Sequence, residues 1–184
     1  MRLAASLAAL LALTPVPLMA QEWFTHRFGE LWAYHGDWLA LCSDNGAGAC
    51  RIVASGKDEG SEAFFDHRMS LHFRDESGAW TIEVMDRGMP DRELTFVGFE
   101  IDGTVTDLPD GAWQPGERDF GNVIETIHLV DPDLTRDLVA AMRAGNRLTV
   151  RYLPIGQDGL ARFSLRGITA AMNAVEAHVQ DRSN

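Results

Sequence analysis

Six histidines (His26, His35, His67, His72, His128 and His178) are the side chains best suited here to hold a metal ion or move a proton near neutral pH. Their spacing matches neither use. No His-Glu-x-x-His, Cys-x-x-Cys or spaced-aspartate loop occurs. His67 and His72 stand an odd number of residues apart, which on a regular strand sends them to opposite faces. Carboxylates such as Asp86, Asp91, Glu93 and Glu100 are plentiful. Glycoside hydrolysis, however, needs one raised pKa and a fixed separation across a cleft, and a solvated acidic surface accounts for the same residues. Ser55 and Ser164 lack the Gly-x-Ser-x-Gly elbow of common hydrolases. Asn45-Gly46-Ala47-Gly48 precedes neither a helix nor a lysine, so a phosphate cradle fails its context. The sequence therefore nominates no catalytic residue, no metal-ligand set and no cofactor.

Two cysteines remain, Cys42 and Cys50. Between them runs Ser43-Asp44-Asn45-Gly46-Ala47-Gly48-Ala49, which is turn chemistry. The start of the chain supplies their context. Met1-Arg2 is a short positive lead, Leu3 to Leu13 is an unbroken run of Leu, Ala and Ser, and Pro15 and Pro17 precede Leu18-Met19-Ala20. That three-part pattern predicts a secretory signal peptide over residues 1–20, cleaved before Gln21. The apolar run is too short for a membrane-spanning helix, which needs about 20 residues. In an exported chain an even, closely spaced cysteine pair predicts a disulfide joining adjacent strands across a loop.

Residues 21–184 are the length of one ordinary domain and long enough to bury a core without further staples. The net charge is −11, and Lys57 is the only lysine. Such a surface repels phosphate backbones, which argues against nucleic acid and anionic lipid as partners. No other apolar stretch is long enough to span a bilayer. The expected location is the periplasm or the cell exterior.

Periodicity predicts mostly strand. Met69, Leu71 and Phe73 alternate with Arg68, Ser70, His72 and Arg74, the pattern of a half-buried strand with a wet outer face. Asp75-Glu76-Ser77-Gly78 then turns into Trp80–Val84, giving an antiparallel hairpin. Trp38–Cys42 and Arg51–Ala54 flank the cysteine loop. Leu94–Ile101 leads through Asp102-Gly103 into Thr104–Thr106, and Val123–Val130 reads as another strand. Pro109-Asp110-Gly111 and Pro115-Gly116 mark an exposed loop. Asp131 is an apt N-cap before Pro132, with Leu134, Leu138 and Met142 at spacing four and Gly145 at the close. Arg147–Tyr152 alternates as a strand, Gln157-Asp158-Gly159 turns into Arg162–Leu165, and Ile168, Met172, Val175 and Val179 share one face of a terminal helix. The expected fold is mainly β (α+β): an antiparallel β-sandwich or barrel-like sheet with a short helix and a C-terminal helix packed on it.

Trp23, Phe24, Phe28, Trp32 and Tyr34 crowd the start of the mature chain. At that density some can form an exposed patch for a partner. The competing expectation is that they cover the core, as large aromatics usually do.

Gly36-Asp37-Trp38 followed by Cys42 and Cys50 resembles the opening of the invasion-associated locus B family of proteobacterial exported proteins. The end, Phe163-Ser164-Leu165-Arg166-Gly167-Ile168-Thr169-Ala170-Ala171-Met172, is similar to the phrase that closes members of that family. No cysteine follows Cys50, where members commonly carry a second pair. The resemblance implies an exported β-rich protein of the envelope or host interface, acting by binding to another protein or envelope component, with no catalytic residue to carry over. A periplasmic carrier of a small molecule or metal is the alternative, and a hydrolase a more distant one.

Overall fold

Strands with one apolar face must bury that face against another layer, and here two antiparallel sheets and two helices do so together. The computed structural model describes residues 22–87, 97–116, 125–152 and 159–183. In chain order the strands are β1 (Phe24–His26), β2 (Glu30–His35), β3 (Trp38–Cys42), β4 (Cys50–Gly56), β5 (His67–Arg74) and β6 (Ala79–Asp86). There follow β7 (Val97–Ile101), β8 (Thr104–Asp107), β9 (Trp113–Pro115), β10 (Glu125–Leu129), helix α1 (Pro132–Ala144), β11 (Arg147–Tyr152), β12 (Gly159–Ser164) and helix α2 (Ile168–Arg182). The larger sheet has the order β1-β2-β3-β4-β5-β6-β10-β9, and the smaller has β12-β11-β7-β8. The fold is thus mainly antiparallel β with a large sheet and a C-terminal helix, as the alternation predicts.

Every ladder pairs antiparallel, and register decides what faces the core. Ala33, Ala40, Ile52, Leu71 and Ile82 lie directly across from one another on one face of the large sheet. Ala54, Met69, Val84 and Ile127 form the next row. Phe99, Val150 and Ala161 do the same in the small sheet, and all are buried. Met172, Val175 and Val179 of α2 close the same cluster, as their spacing predicts. Each large apolar side chain so buried stabilises the fold by about 1.5–3 kcal/mol. No described helix is long and apolar enough to cross a membrane.

The helix signals work as expected at the start of α1. The Asp131 carboxylate accepts hydrogen bonds from the backbone N–H groups of Asp133 and Leu134, both at 3.0 Å. The close of that helix differs in detail. Gly145 is extended, with φ −91 and ψ 175, rather than left-handed. Glycine is required there by packing: a Cβ would lie 2.6 Å from Cγ2 of Ile101. The 68–74 strand differs at one position too. Ser70, expected on a wet face, is 3% exposed. It lies in a row that includes Tyr34, Leu39 and Val53, so that face is not simply solvated.

The two stretches that carry the family resemblance meet in space. The Trp38 indole N–H donates to the carbonyl of Ser164 at 2.9 Å, and the Asp37 backbone N–H donates to the carbonyl of Arg166 at 3.0 Å. The Arg166 guanidinium grips the Asp37 carboxylate through Nη2 at 2.6 Å and Nε at 3.2 Å. Those donated hydrogen bonds hold the Asp37 carboxyl below its usual range and raise Arg166. Only glycine fits the crossing: at Gly167, with φ +94, a Cβ would sit 2.0 Å from the carbonyl oxygen of His35.

The predicted turn at 157–158, the outer parts of the expected strands at 94–96 and 123–124, the acids Asp91 and Glu93, and the leader up to Gln21 lie outside the described residues.

Candidate functional site

Strand pairing gathers the N-terminal aromatics on the outer face of the large sheet, opposite the core. Phe24 lies across from Trp32, and Trp32 across from Leu41. His26 stacks on the Trp32 indole with ring centres 3.8 Å apart and planes 1° from parallel. Phe24 stacks on Tyr34 at 6.1 Å, and Phe28 meets His26 edge-on at 4.5 Å. The Trp32 indole N–H is satisfied by the Glu30 carboxylate at 2.8 Å. The result is one ring-on-ring cluster at the free edge of the sheet, with Phe28 67% and Phe24 42% exposed.

Of Trp23, Phe24, Phe28 and Trp32, the residues expected from sequence to form an interaction patch, the structure brings three together. Phe24, Phe28 and Trp32 share this face, while Trp23 turns to the other side. There its ring lies 5.3 Å from His178 of α2 and packs on the core. The rings thus divide between an outer cluster and a core-packed Trp23. Tyr34 and His26 complete the outer cluster.

Farther along the same face the chemistry becomes polar. Glu83 of β6 has His128 Nδ1 of β10 at 3.8 Å, His72 Nε2 of β5 at 3.9 Å and Arg68 Nη2 at 3.8 Å. Burial lowers the His72 pKa, although Glu83 pulls it the other way. These separations exceed hydrogen-bond length, so the group is a loose charge cluster rather than a catalytic relay.

The cysteines form the expected bond. Cys42 and Cys50 are direct register partners of β3 and β4, with Cα atoms 4.1 Å apart, joined by a disulfide. The loop between them uses left-handed backbone at Asp44, Asn45 and Gly46, residue types that tolerate it. His178 lies near both sulfurs, but two sulfurs bonded to each other are not thiolate ligands. Arg182, at the end of α2, clamps this end of the molecule. Its Nη1 donates to the carbonyls of Gly46 at 2.8 Å and Gly48 at 2.6 Å, and its Nη2 pairs with Asp75.

At the other end of the same strands lies a polar group with few exposed atoms. His67 of β5 and Asp86 of β6 are register partners, each 4% exposed. Tyr152 of β11 hydrogen-bonds Asp86, and burial first, then the negative Asp86, pushes the phenol well up. His67 Nε2 is 3.0 Å from the carbonyl oxygen of Arg162. Gly56 leaves room for that ring, since a Cβ would lie 2.1 Å from its Nε2. Beside it the Asp66 carboxylate accepts hydrogen bonds from the Asp58 backbone N–H at 2.9 Å and the Ser61 hydroxyl at 2.8 Å, which hold it ionised below its usual range.

Glu100, also considered from sequence, does not join this group. Glu100 faces outward on the small sheet, 2.6 Å from Arg151, whereas Asp86 faces inward on the large one. Ser164 contributes its carbonyl to Trp38 and its hydroxyl to the backbone N–H of Arg166. A groove of about 540 Å³ opens between the β5–β6 turn and α1, lined by Trp80, Leu129, Val139, Arg74 and Arg136 among others. No family model, no curated protein and no solved structure matches this chain.

Proposed function

We propose that this chain is an exported binding protein of the periplasm or cell surface, similar in role to the invasion-associated locus B family, and that it works through the outer face of β1 and β2. One observation carries the reading. Five rings, Phe24, His26, Phe28, Trp32 and Tyr34, pack into one cluster at a sheet edge while Phe28 stays mostly, and Phe24 partly, in water. Rings that satisfied the core would have their apolar area removed from solvent, and these two do not. Aromatics held by neighbours lose little side-chain freedom on binding, which suits them to anchor a partner. The occupant is another protein or an envelope component, in keeping with the acidic surface. The signal-like first twenty residues and the disulfide fit delivery to an oxidising compartment.

The test places a photo-crosslinking residue at position 28 in cells that make the protein from its full sequence. A single discrete adduct, lost when Phe24 and Tyr34 are both replaced by Ser, is the expected result. Diffuse adducts, or an adduct indifferent to those replacements, would sink the assignment. The mass of the recovered chain, beginning at Gln21 and two hydrogens light, checks export and the cystine together.

A further inference from the structure

The buried end of β5 holds an imidazole whose hydrogen bonding is only half complete. The carbonyl of Arg162 can only accept, so the Nε2 that lies 3.0 Å from it carries a proton. In the neutral ring that leaves a lone pair on Nδ1. Among the described residues Nδ1 of His67, on a side chain only 5% exposed, is buried and has no hydrogen-bond partner. Across from it, at 3.9 Å, stands Oδ1 of Asp58. Backbone carbonyls that fix one imidazole nitrogen as N–H commonly stand behind a histidine whose other nitrogen ligates a metal. Asp66 and Asp86 add negative charge around the same point, and Tyr152 feels both Asp86 and Asp58.

We propose that His67 Nδ1 and the Asp58 carboxylate bind a divalent transition cation, with zinc as the representative ion. One imidazole nitrogen with one carboxylate oxygen is a donor set that suits zinc and its neighbours rather than calcium or magnesium. Two atoms sharing one tetrahedral ion at about 2.0–2.1 Å stand roughly 3.3 Å apart. Asp58 is 67% exposed on its loop, so a rotation of well under 1 Å brings its oxygen into range. The remaining positions go to water, which makes the ion exchangeable rather than structural. No ligand pattern announces this in the sequence, because Asp58 and His67 stand on either side of a loop and not at a helical or strand spacing. The inference is independent of the aromatic face, which lies on the other side of the same sheet.

The experiment titrates zinc chloride into the untagged protein made from its full sequence, by calorimetry, with magnesium chloride as control. The expected result is one zinc per chain, no magnesium, and a shift of the His67 Nδ1 nitrogen resonance that leaves His72 and His128 unmoved. Asp58→Asn, at an exposed position, should retain the melting temperature and lose affinity by roughly tenfold or more, about 1.4 kcal/mol. His67→Gln should abolish the site, but its buried position makes Asp58→Asn the deciding variant. Absence of stoichiometric zinc overturns the proposal. So does a proton found on Nδ1 at neutral pH, or zinc binding that survives Asp58→Asn and disappears in His72→Gln, which would put the ion on Glu83 of the opposite face.

Discussion

The two ends of the large sheet solve the same problem by different chemistry. At one end the β3–β4 connection is closed by Cys42–Cys50 and capped by Arg182, which reaches two backbone carbonyls and Asp75. At the other end no covalent tie joins the described strands. Asp86, Tyr152 and His67 are instead buried together, joined to the Asp66 loop through Gly56. The cystine end gains by limiting the unfolded chain. At the polar end low dielectric makes an unmet buried group costly, and among the described residues His67 Nδ1 is one. A covalent closure tolerates small shifts around it, whereas a buried polar group does not. The second end is therefore the one equipped to respond to an ion or a proton.

Opening the covalent end should have the largest effect. Replacing Cys42 and Cys50 by Ser removes closure of a loop with sequence separation 8, worth about 2.5 kcal/mol in the chain-entropy model. For a chain of this size that is a fall of roughly 5–10 °C in the melting temperature. An unchanged melting temperature would mean that Arg182 and the ladder alone close this end.

Tyr152→Phe strikes the polar end next. The 3% exposed phenol is a hydrogen-bond partner of Asp86, and its loss should cost about 1–3 kcal/mol by chemical denaturation. A neutral result would show that Asp86 draws its stability from elsewhere, and the contrast between the ends would narrow.

Acid should separate the ends more gently. Asp66 has its pKa lowered, first by the Asp58 backbone N–H and then by the Ser61 hydroxyl. Its contribution is fully present above the unfolded value of 3.8 and fades as pH falls through the lower folded value. Amide protection in residues 57–66, taken relative to the intrinsic exchange rate, should therefore fall below about pH 4 before that of the cystine loop does. Equal loss of protection at both ends would count against a distinct acid-sensitive end.

Where one rule decided a segment, the sequence was legible. Strict alternation marked β5 and β6, the Asp131-Pro132 start marked α1, and the four residues Ile168, Met172, Val175 and Val179 marked the buried side of α2. No period marks strand β2, because Leu31-Trp32-Ala33-Tyr34 is apolar on both faces, and β1 is only three residues long. Three-residue β9 ends on Pro115, too short and too proline-marked to signal a strand. The aromatic patch could be suspected from density alone, but which rings share a face depends on the β1–β2 register. The His67–Asp58 pair was hidden for a similar reason. Its logic lies in a buried Nδ1 and the carbonyl of Arg162, which the chain supplies 95 residues later.

The Asp37–Arg166 clasp has a consequence for how the molecule is made. Its partners are separated by 129 residues, and the Trp38–Ser164 bond spans 126. A chain emerges from synthesis with its N-terminal end first. Strands β2 and β3 must then wait, their inner face bare, until the segment that carries α2 has appeared and can seat on them. Ala33, Trp38 and Ala40, fully buried in the finished protein, lie on that face. Seating of α2, Ile168–Arg182, is what covers that face.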